Sequence, residues 1–285
     1  MAALLTEGIV MCLKKLLAGL LIAFWVSLCA RWSCGADFDP TKTTISKLGV
    51  KQIEAEWLPT RDGRRVGDFW LATDGQKRSA LWTLEVLDRN SLTKAVERAS
   101  GFKADPDVPP EFQAVDADYK SPFRPLDRGH LAAADNHKTS NVIQAATFLL
   151  SNAAPQAKKC NEGCWRMLEA YVQKRALDAD GVIVVTAPAY RPNNEGRIVI
   201  DVIGRNQVWV PTHFAKAILM QLGDELFVEA WIVPNDDLET TDFTLFAVGV
   251  DEFERPVGID VFRPLADDVE RRLEKAFPLK VVPTK

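Results

Sequence analysis

The spacing of apolar and polar positions changes several times along this chain, and each change predicts an element. "ALWTLEVL" (80–87) alternates and is rich in Leu, Trp and Val, which predicts a strand. "KADPDVPPEF" (103–112) is rich in Pro and Asp and reads as a loop. "ATFLLSN" (146–152) is a short apolar run that stops at polar residues, and predicts a second strand. In "CWRMLEAYVQKRAL" (164–177) Trp165, Leu168 and Val172 recur three and four apart, the spacing of a helix face. "GVIVVTAPAY" (181–190) and "RIVIDVIG" (197–204) are β-branched strands. "QVWVPTHFAKAILMQL" (207–222) reads as a strand, then Pro211, then a helix. "ELFVEAWIVPN" (225–235) is a further strand, and "DDVERRLEKAF" (267–277) a closing helix. Strands and helices mix without a steady βαβ beat, which points to an α+β fold with a largely antiparallel sheet.

The first 36 residues follow another rule. Lys14 and Lys15 precede an apolar run from Leu16 to Ala30, and small residues come after it. That is the layout of a signal peptide, with cleavage near Ala30 or Ala36 and export to a periplasmic or extracellular space. The alternatives are an N-terminal membrane anchor, for which the run is short, and a mitochondrial intermembrane location. A mitochondrial presequence would be richer in Arg and Ser. Residues 37–285 read as a single domain.

Composition narrows the function. The 285 residues are 47% hydrophobic and 26% charged, as in a globular protein, with a net charge of −4 and a pI near 5.6. This is not the basic balance of a protein that coats nucleic acid. An anionic substrate would have to meet a local patch. No P-loop, dinucleotide glycine fingerprint or HExxH is present.

The chemistry concentrates in "PLDRGHLAAADNH" (125–137), which holds two of the three histidines. By itself the DRGH tetrapeptide could be a turn, with Gly129 supplying backbone freedom and Asp127 pairing with Arg128 or a neighbour. The residues beyond His130 give it more meaning. Asn152 closes a predicted strand, Asn161 opens a predicted helix, and Glu169 stands about two turns later. Two strands and a helix can fold into a finger in which His130 faces Asn161 and Glu169. A neutral histidine takes a proton from water near neutral pH. An Asn amide oxygen suits Mg²⁺, which keeps most of its waters, and Glu169 could accept hydrogen bonds from them. Such a set could hydrolyse a phosphodiester. His137 is expected on an exposed turn and without a catalytic role, and His213 as a packed or capping residue. Cys160 and Cys164 read first as a disulfide in an exported protein; half a zinc site is the alternative, but no second Cys or His pair lies at suitable spacing.

Five segments in order, "ADYKSPFRPLDRGHLAAADNH", "TFLLSNAAPQ", "NEGCWRMLEAY", "IGRNQVWVPTHFAKAIL" and "DEFERPVGIDVF", give a resemblance over roughly residues 80 to 265. The sequence resembles the DNA/RNA non-specific endonuclease family of ββα-metal (His-Me finger) nucleases, most closely its endonuclease G branch. The resemblance implies that fold and a Mg²⁺-dependent endonuclease, with Mn²⁺ able to substitute and no small-molecule cofactor. It implies cleavage of both DNA and RNA to 5′-phosphate and 3′-hydroxyl ends, and a homodimer as the assembly. It casts His130 as general base, Arg128 as holder of phosphate charge and Asp127 as supporting acid. Asn152 would stand beside the histidine and the scissile phosphate, Asn161 would be the one direct protein ligand of the metal, and Glu169 would hold metal-bound water. A site of this kind grips backbone rather than base edges, and Arg124, Lys138, Arg205 and Lys216 are the candidate backbone contacts. Asp135 stands where a small residue is expected, Cys160 and Cys164 flank Asn161, and the acidic net charge is unusual for a nuclease. The alternative is a catalytically silent nucleic-acid-binding or periplasmic interaction protein on the same fold.

Overall fold

The structure, a computed structural model, describes residues 38–120 and 126–274. Its strands are β1 (Arg64–Val66), β2 (Phe69–Asp74), β3 (Ser79–Leu87), β4 (Leu126–His130), β5 (Ala153–Ala157), β6 (Gly181–Ala189), β7 (Asp201–Ile203), β8 (Val208–Val210), β9 (His213–Leu222), β10 (Glu225–Pro234) and β11 (Ala247–Val248). Seven form one sheet in the order β1-β2-β3-β6-β9-β10-β11, antiparallel at every pairing, while β4–β5 and β7–β8 are separate two-stranded ribbons. Around them stand helices α1 (Asn141–Thr147), α2 (Arg166–Asp178), α3 (Val250–Val257) and α4 (Asp267–Glu274). This is the α+β architecture that the mixed element pattern predicts.

The central strands β6 and β9 are buried on both faces. One face packs Val184, Phe214 and Ile218 against Trp165, Leu168 and Val172 of the helix that follows Asn161. The other packs Ile183, Ala217 and Leu219 against Ile53, Trp57 and Phe253. Each fully buried side chain of Phe214 or Ile218 size stabilises the fold by about 1.5–3 kcal/mol. Burial on both sides seats α2 firmly on the sheet and fixes where its first turn projects.

Two predicted elements differ. Residues 146–152 are not a strand: α1 ends at Thr147, and a single 3₁₀ turn covers Leu150–Asn152. Ser140 caps α1, its hydroxyl accepting from the Ile143 N–H at 3.3 Å. An apolar run this short does not distinguish helix from strand. The second strand of the finger is β5, immediately after it. Residues 213–222 are not a helix but β9, a ten-residue strand paired with β6 on one side and β10 on the other. Its Ala, Lys, Leu and Met letters favour a helix, yet tertiary pairing overrides propensity, and double-sided burial erases the alternation that marks a strand. The predicted leader, residues 1–36, lies outside the described residues, as do residues 275–285. Among the described residues, no helix is long and apolar enough to cross a membrane.

Candidate active site

The DRGH tetrapeptide is strand, not turn. It forms most of β4, which pairs with β5 so that Asp127 lies opposite Gln156, Gly129 opposite Ala154 and His130 opposite Ala153. Gly129 is needed for space rather than for backbone freedom. A Cβ there would fall 2.1 Å from Gln156 Oε1 and 2.7 Å from Gln156 Cβ.

Asp127, Arg128, His130, Asn161 and Glu169, drawn from a strand, a helical turn and a helix, converge on one cavity of about 230 Å³. His130 is wedged between Phe102 and Phe148, with ring centroids 4.7 and 4.8 Å away. Its Nε2 is buried and has no hydrogen-bond partner. Burial, helped by the nearby Arg98 charge, pushes its pKa down to about 3, so the ring is neutral near pH 7 and a weaker base than an exposed histidine. Burial likewise pushes the Glu169 carboxyl up to about 7, against the opposing pull of Lys216.

Asn161 sits in a single π-helical turn, Cys160–Trp165, broken at Gly163 where φ is −104° and ψ −106°. The turn aims the Asn161 side chain at β4, and its Nδ2 donates to Asp127 Oδ2 at 2.9 Å. With the amide N–H spent there, the amide oxygen remains for a cation. Arg128 is held by Asp116 through Nη1, and its guanidinium lies 5.3 Å from the Phe102 ring centroid. Asn152 is different. It is fully buried and does not line the cavity. Its amide accepts from Ala132 N at 2.9 Å and donates to Ala132 O at 3.0 Å and Thr147 O at 2.9 Å. It bolts down the chain just beyond His130.

The stretch that carries this site lies within a longer match: a family profile described as DNA/RNA non-specific endonuclease covers residues 50–268. The chain belongs to the DNA/RNA non-specific endonuclease family. It is a nuclease, a hydrolase acting on phosphodiester bonds. Mitochondrial endonuclease G of Bos taurus is 31% identical to it over 280 residues, spanning 87% of this chain and 93% of that protein. Mitochondrial endonuclease G of Caenorhabditis elegans is 37% identical over 212 residues, 71% and 68% of the two chains. The mitochondrial nuclease EXOG of Homo sapiens is 34% identical over 207 residues, 69% and 55% of the two chains. A crystal structure of an endonuclease G–inhibitor complex superposes with a TM-score of 0.71 at 33% identity, over 76% of this chain and 92% of that one. The fold of this nuclease is thus the ββα-metal one.

Several expected substrate contacts of the nuclease lie elsewhere. Lys216 is not a surface contact: it is 1% exposed, its Nζ donates to Thr186 Oγ1 at 2.5 Å, and it lies 4.8 Å from the Trp165 ring centroid. It sits on the inward face of β9, which a helical reading of 213–222 conceals. Lys138 pairs with Asp135 at 2.7 Å, beside the cavity. Arg205 is exposed in the β7–β8 turn and does not line the cavity. Arg124 lies outside the described residues. Cys160 and Cys164 are free, buried thiols rather than a disulfide. Each packs into the core against the sheet, and burial pushes their pKa values up to about 12 and about 11. His213 is packed at the start of β9, with Nδ1 2.9 Å from Thr212 Oγ1. His137 is the largest correction: it is buried, at 2% exposure, between two carboxylates. The loop containing it turns back under β3 instead of facing solvent.

Sequence reasoning missed Arg98, Phe102 and Phe148, which complete the cavity wall. Arg98 lies 3.5 Å from Asp135 and 5.4 Å from the Phe148 ring centroid. It comes from a polar loop with no periodicity, so only the fold marks it.

Proposed function

We propose that this chain is a Mg²⁺-dependent endonuclease, with Mn²⁺ able to substitute, that cuts both DNA and RNA and leaves 5′-phosphate and 3′-hydroxyl ends. The observation that carries the reading is that a neutral His130 with an unpartnered Nε2 shares one cavity with an Asn161 amide oriented by Asp127. The donors around that cavity are hard oxygens, from Asn161, Asp127 and Glu169, which fit Mg²⁺. When bound, the ion would stabilise charge on the phosphate and the leaving oxygen.

The protein's own groups do the rest. His130 Nε2 takes the proton of the attacking water. Phe102 and Phe148 flank the imidazole and hold it in place, and burial keeps it neutral. Arg128, steadied by Asp116, and Arg98 supply positive charge for the non-bridging phosphate oxygens. Asp127 holds the Asn161 amide so that its oxygen would serve as a ligand for the ion, and Glu169 would accept hydrogen bonds from the ion's hydration water. None of these groups needs a base edge, which supports broad substrate choice.

The endonuclease G and EXOG relatives are mitochondrial, which supports the mitochondrial alternative for this chain; they lend no support to export. The likeness to an endonuclease G held by an inhibitor supports an inhibitor as a partner class. A homodimer remains part of the proposal, to be read by sedimentation. The test is direct. The chain and His130→Ala are incubated with supercoiled plasmid and with RNA, in Mg²⁺ and in EDTA. Mg²⁺-dependent cleavage of both substrates, lost in the variant, is expected. A folded wild type that cuts neither would make the silent binding protein the better reading.

A further inference from the structure

The loop leaving His130 lines the cavity with Ala134 and Asp135 and ends at His137. His137 Nδ1 lies 2.5 Å from Asp68 Oδ1, in the turn between β1 and β2, and Nε2 lies 2.9 Å from Glu85 Oε1 on β3. A neutral imidazole has one N–H donor and one bare acceptor nitrogen. A bare nitrogen at that distance from a carboxylate oxygen would set two acceptors against each other. Both contacts are satisfied together when both nitrogens carry protons. Glu85 Oε1 is plainly an acceptor, because Asn136 Nδ2 also donates to it at 2.7 Å.

The clamp reaches further than the ring. Gln173 Nε2 donates to Asn136 Oδ1 at 3.0 Å, and Gln173 stands one helical turn beyond Glu169 on α2. Gln144 of α1 donates to the backbone oxygens of Ala134 at 2.7 Å and His137 at 2.9 Å. One short loop is therefore tied to β3, α1 and α2 at once, and the His137 side chain is its charged anchor.

We propose that His137 is a positioning residue of the nuclease, an imidazolium clamped between Asp68 and Glu85 that holds the His130 side of the cavity in register with the Glu169 side. The inference rests on the nuclease reading only for its effect on turnover. The charged groups around the clamp agree with it. Asp68 faces the ring from the β1–β2 turn and Glu85 from β3; behind Glu85 are the buried Lys216 of β9 and Glu169 of α2. On the loop itself Asp135 is paired with Lys138 and Arg98, and the neutral His130 lies near enough to feel the His137 charge. The Phe69 ring flanks the imidazole at 5.1 Å and keeps water away. Hydrogen bonds to both carboxylates outweigh the burial that opposes the charge, and carry the pKa up to about 9.

The test uses the full, untagged chain with ¹⁵N-labelled histidine. Three histidines make the spectrum simple, and His213→Gln and His130→Gln assign it. Near neutral pH, His137 is expected with both nitrogens protonated while the other two rings are neutral. Asp68→Asn removes one carboxylate at a part-exposed position and should leave the circular dichroism spectrum unchanged. In that variant the alkaline limb of the turnover–pH profile is expected to move down by roughly one pH unit or more. A merely structural histidine would lower thermal stability without moving that limb. Two results would overturn the proposal: a singly protonated His137 near neutral pH, or an unmoved limb in a variant whose His137 titration has moved. A wild type without turnover overturns the nuclease reading and the positioning role with it. The ring-nitrogen signals then still decide the clamp, so the two failures are distinguishable.

Discussion

Asp127 Oδ2 accepts the side-chain N–H of Asn161 at 2.9 Å, from the strand of the DRGH motif to the turn that opens the next helix. The contact gives the motif's acid a specific task. It takes one of the two amide N–H groups and fixes which end of the amide faces Asp127. In the proposed function Asp127 acts through Asn161, so removing it should weaken metal binding before it affects the proton transfer.

Asp127→Ala is accordingly expected to lower metal affinity about 10–100-fold, the usual cost of losing an orienting partner. A Mg²⁺ titration of plasmid nicking reads it as a rightward shift, with activity recovering at high Mg²⁺. Loss of activity that no amount of Mg²⁺ restores would point to a direct chemical role.

Gly129→Ala should be poorly tolerated although its backbone is ordinary strand. The added methyl meets Gln156 Oε1 at 2.1 Å, and overpacking of this kind costs about 1–3 kcal/mol. Pairing it with Gln156→Ala removes the amide at 2.1 Å and leaves only the Cβ at 2.7 Å. Urea unfolding of the single and double variants should show the double one recovering part of the loss; additive losses would contradict the steric account.

Asn152→Ala leaves the Ala132 N–H, the Ala132 oxygen and the Thr147 oxygen without their buried partner. Each buried polar group left unpaired costs about 1–3 kcal/mol. The variant should lose stability and activity together. An equally stable but inactive Asn152→Ala would show instead that the amide touches the reacting phosphate.

Stability should also fall on the alkaline side. His137 is protonated more tightly folded, at about 9, than its ordinary 6.5. Its contribution is therefore complete below pH 6.5 and fades as pH rises through about 9. Urea midpoints across that window should decline in the wild type and decline less in His137→Gln. A wild-type midpoint that stays level through the window would argue against a charged His137.

The order of chemistry along the chain is legible without coordinates. Asp127, Arg128, His130, Asn161 and Glu169, which line one cavity, stand out as candidates because their identities and spacing are local facts. Strands β3, β6 and β10 and helix α2 are legible too, since their patterns agree with their final surroundings. Where pattern and surroundings diverge, the tertiary structure decides. β9 is buried on both faces, so neither a period of two nor one of 3.6 survives in its letters. Lys216 and His137 look like surface residues because they are polar, yet their partners Thr186, Asp68 and Glu85 stand 30, 69 and 52 residues away. Gly129 looks like a turn residue, but the obstacle that demands it is a side chain on the neighbouring strand. Arg98 enters the cavity from a loop that carries no signal of its own. The sequence by itself determined which reactive groups this nuclease has and in what order. Which of them share a cavity, which are buried as bolts and which glycine makes room depend on contacts between distant segments, and burial is a property of those contacts rather than of any stretch of letters.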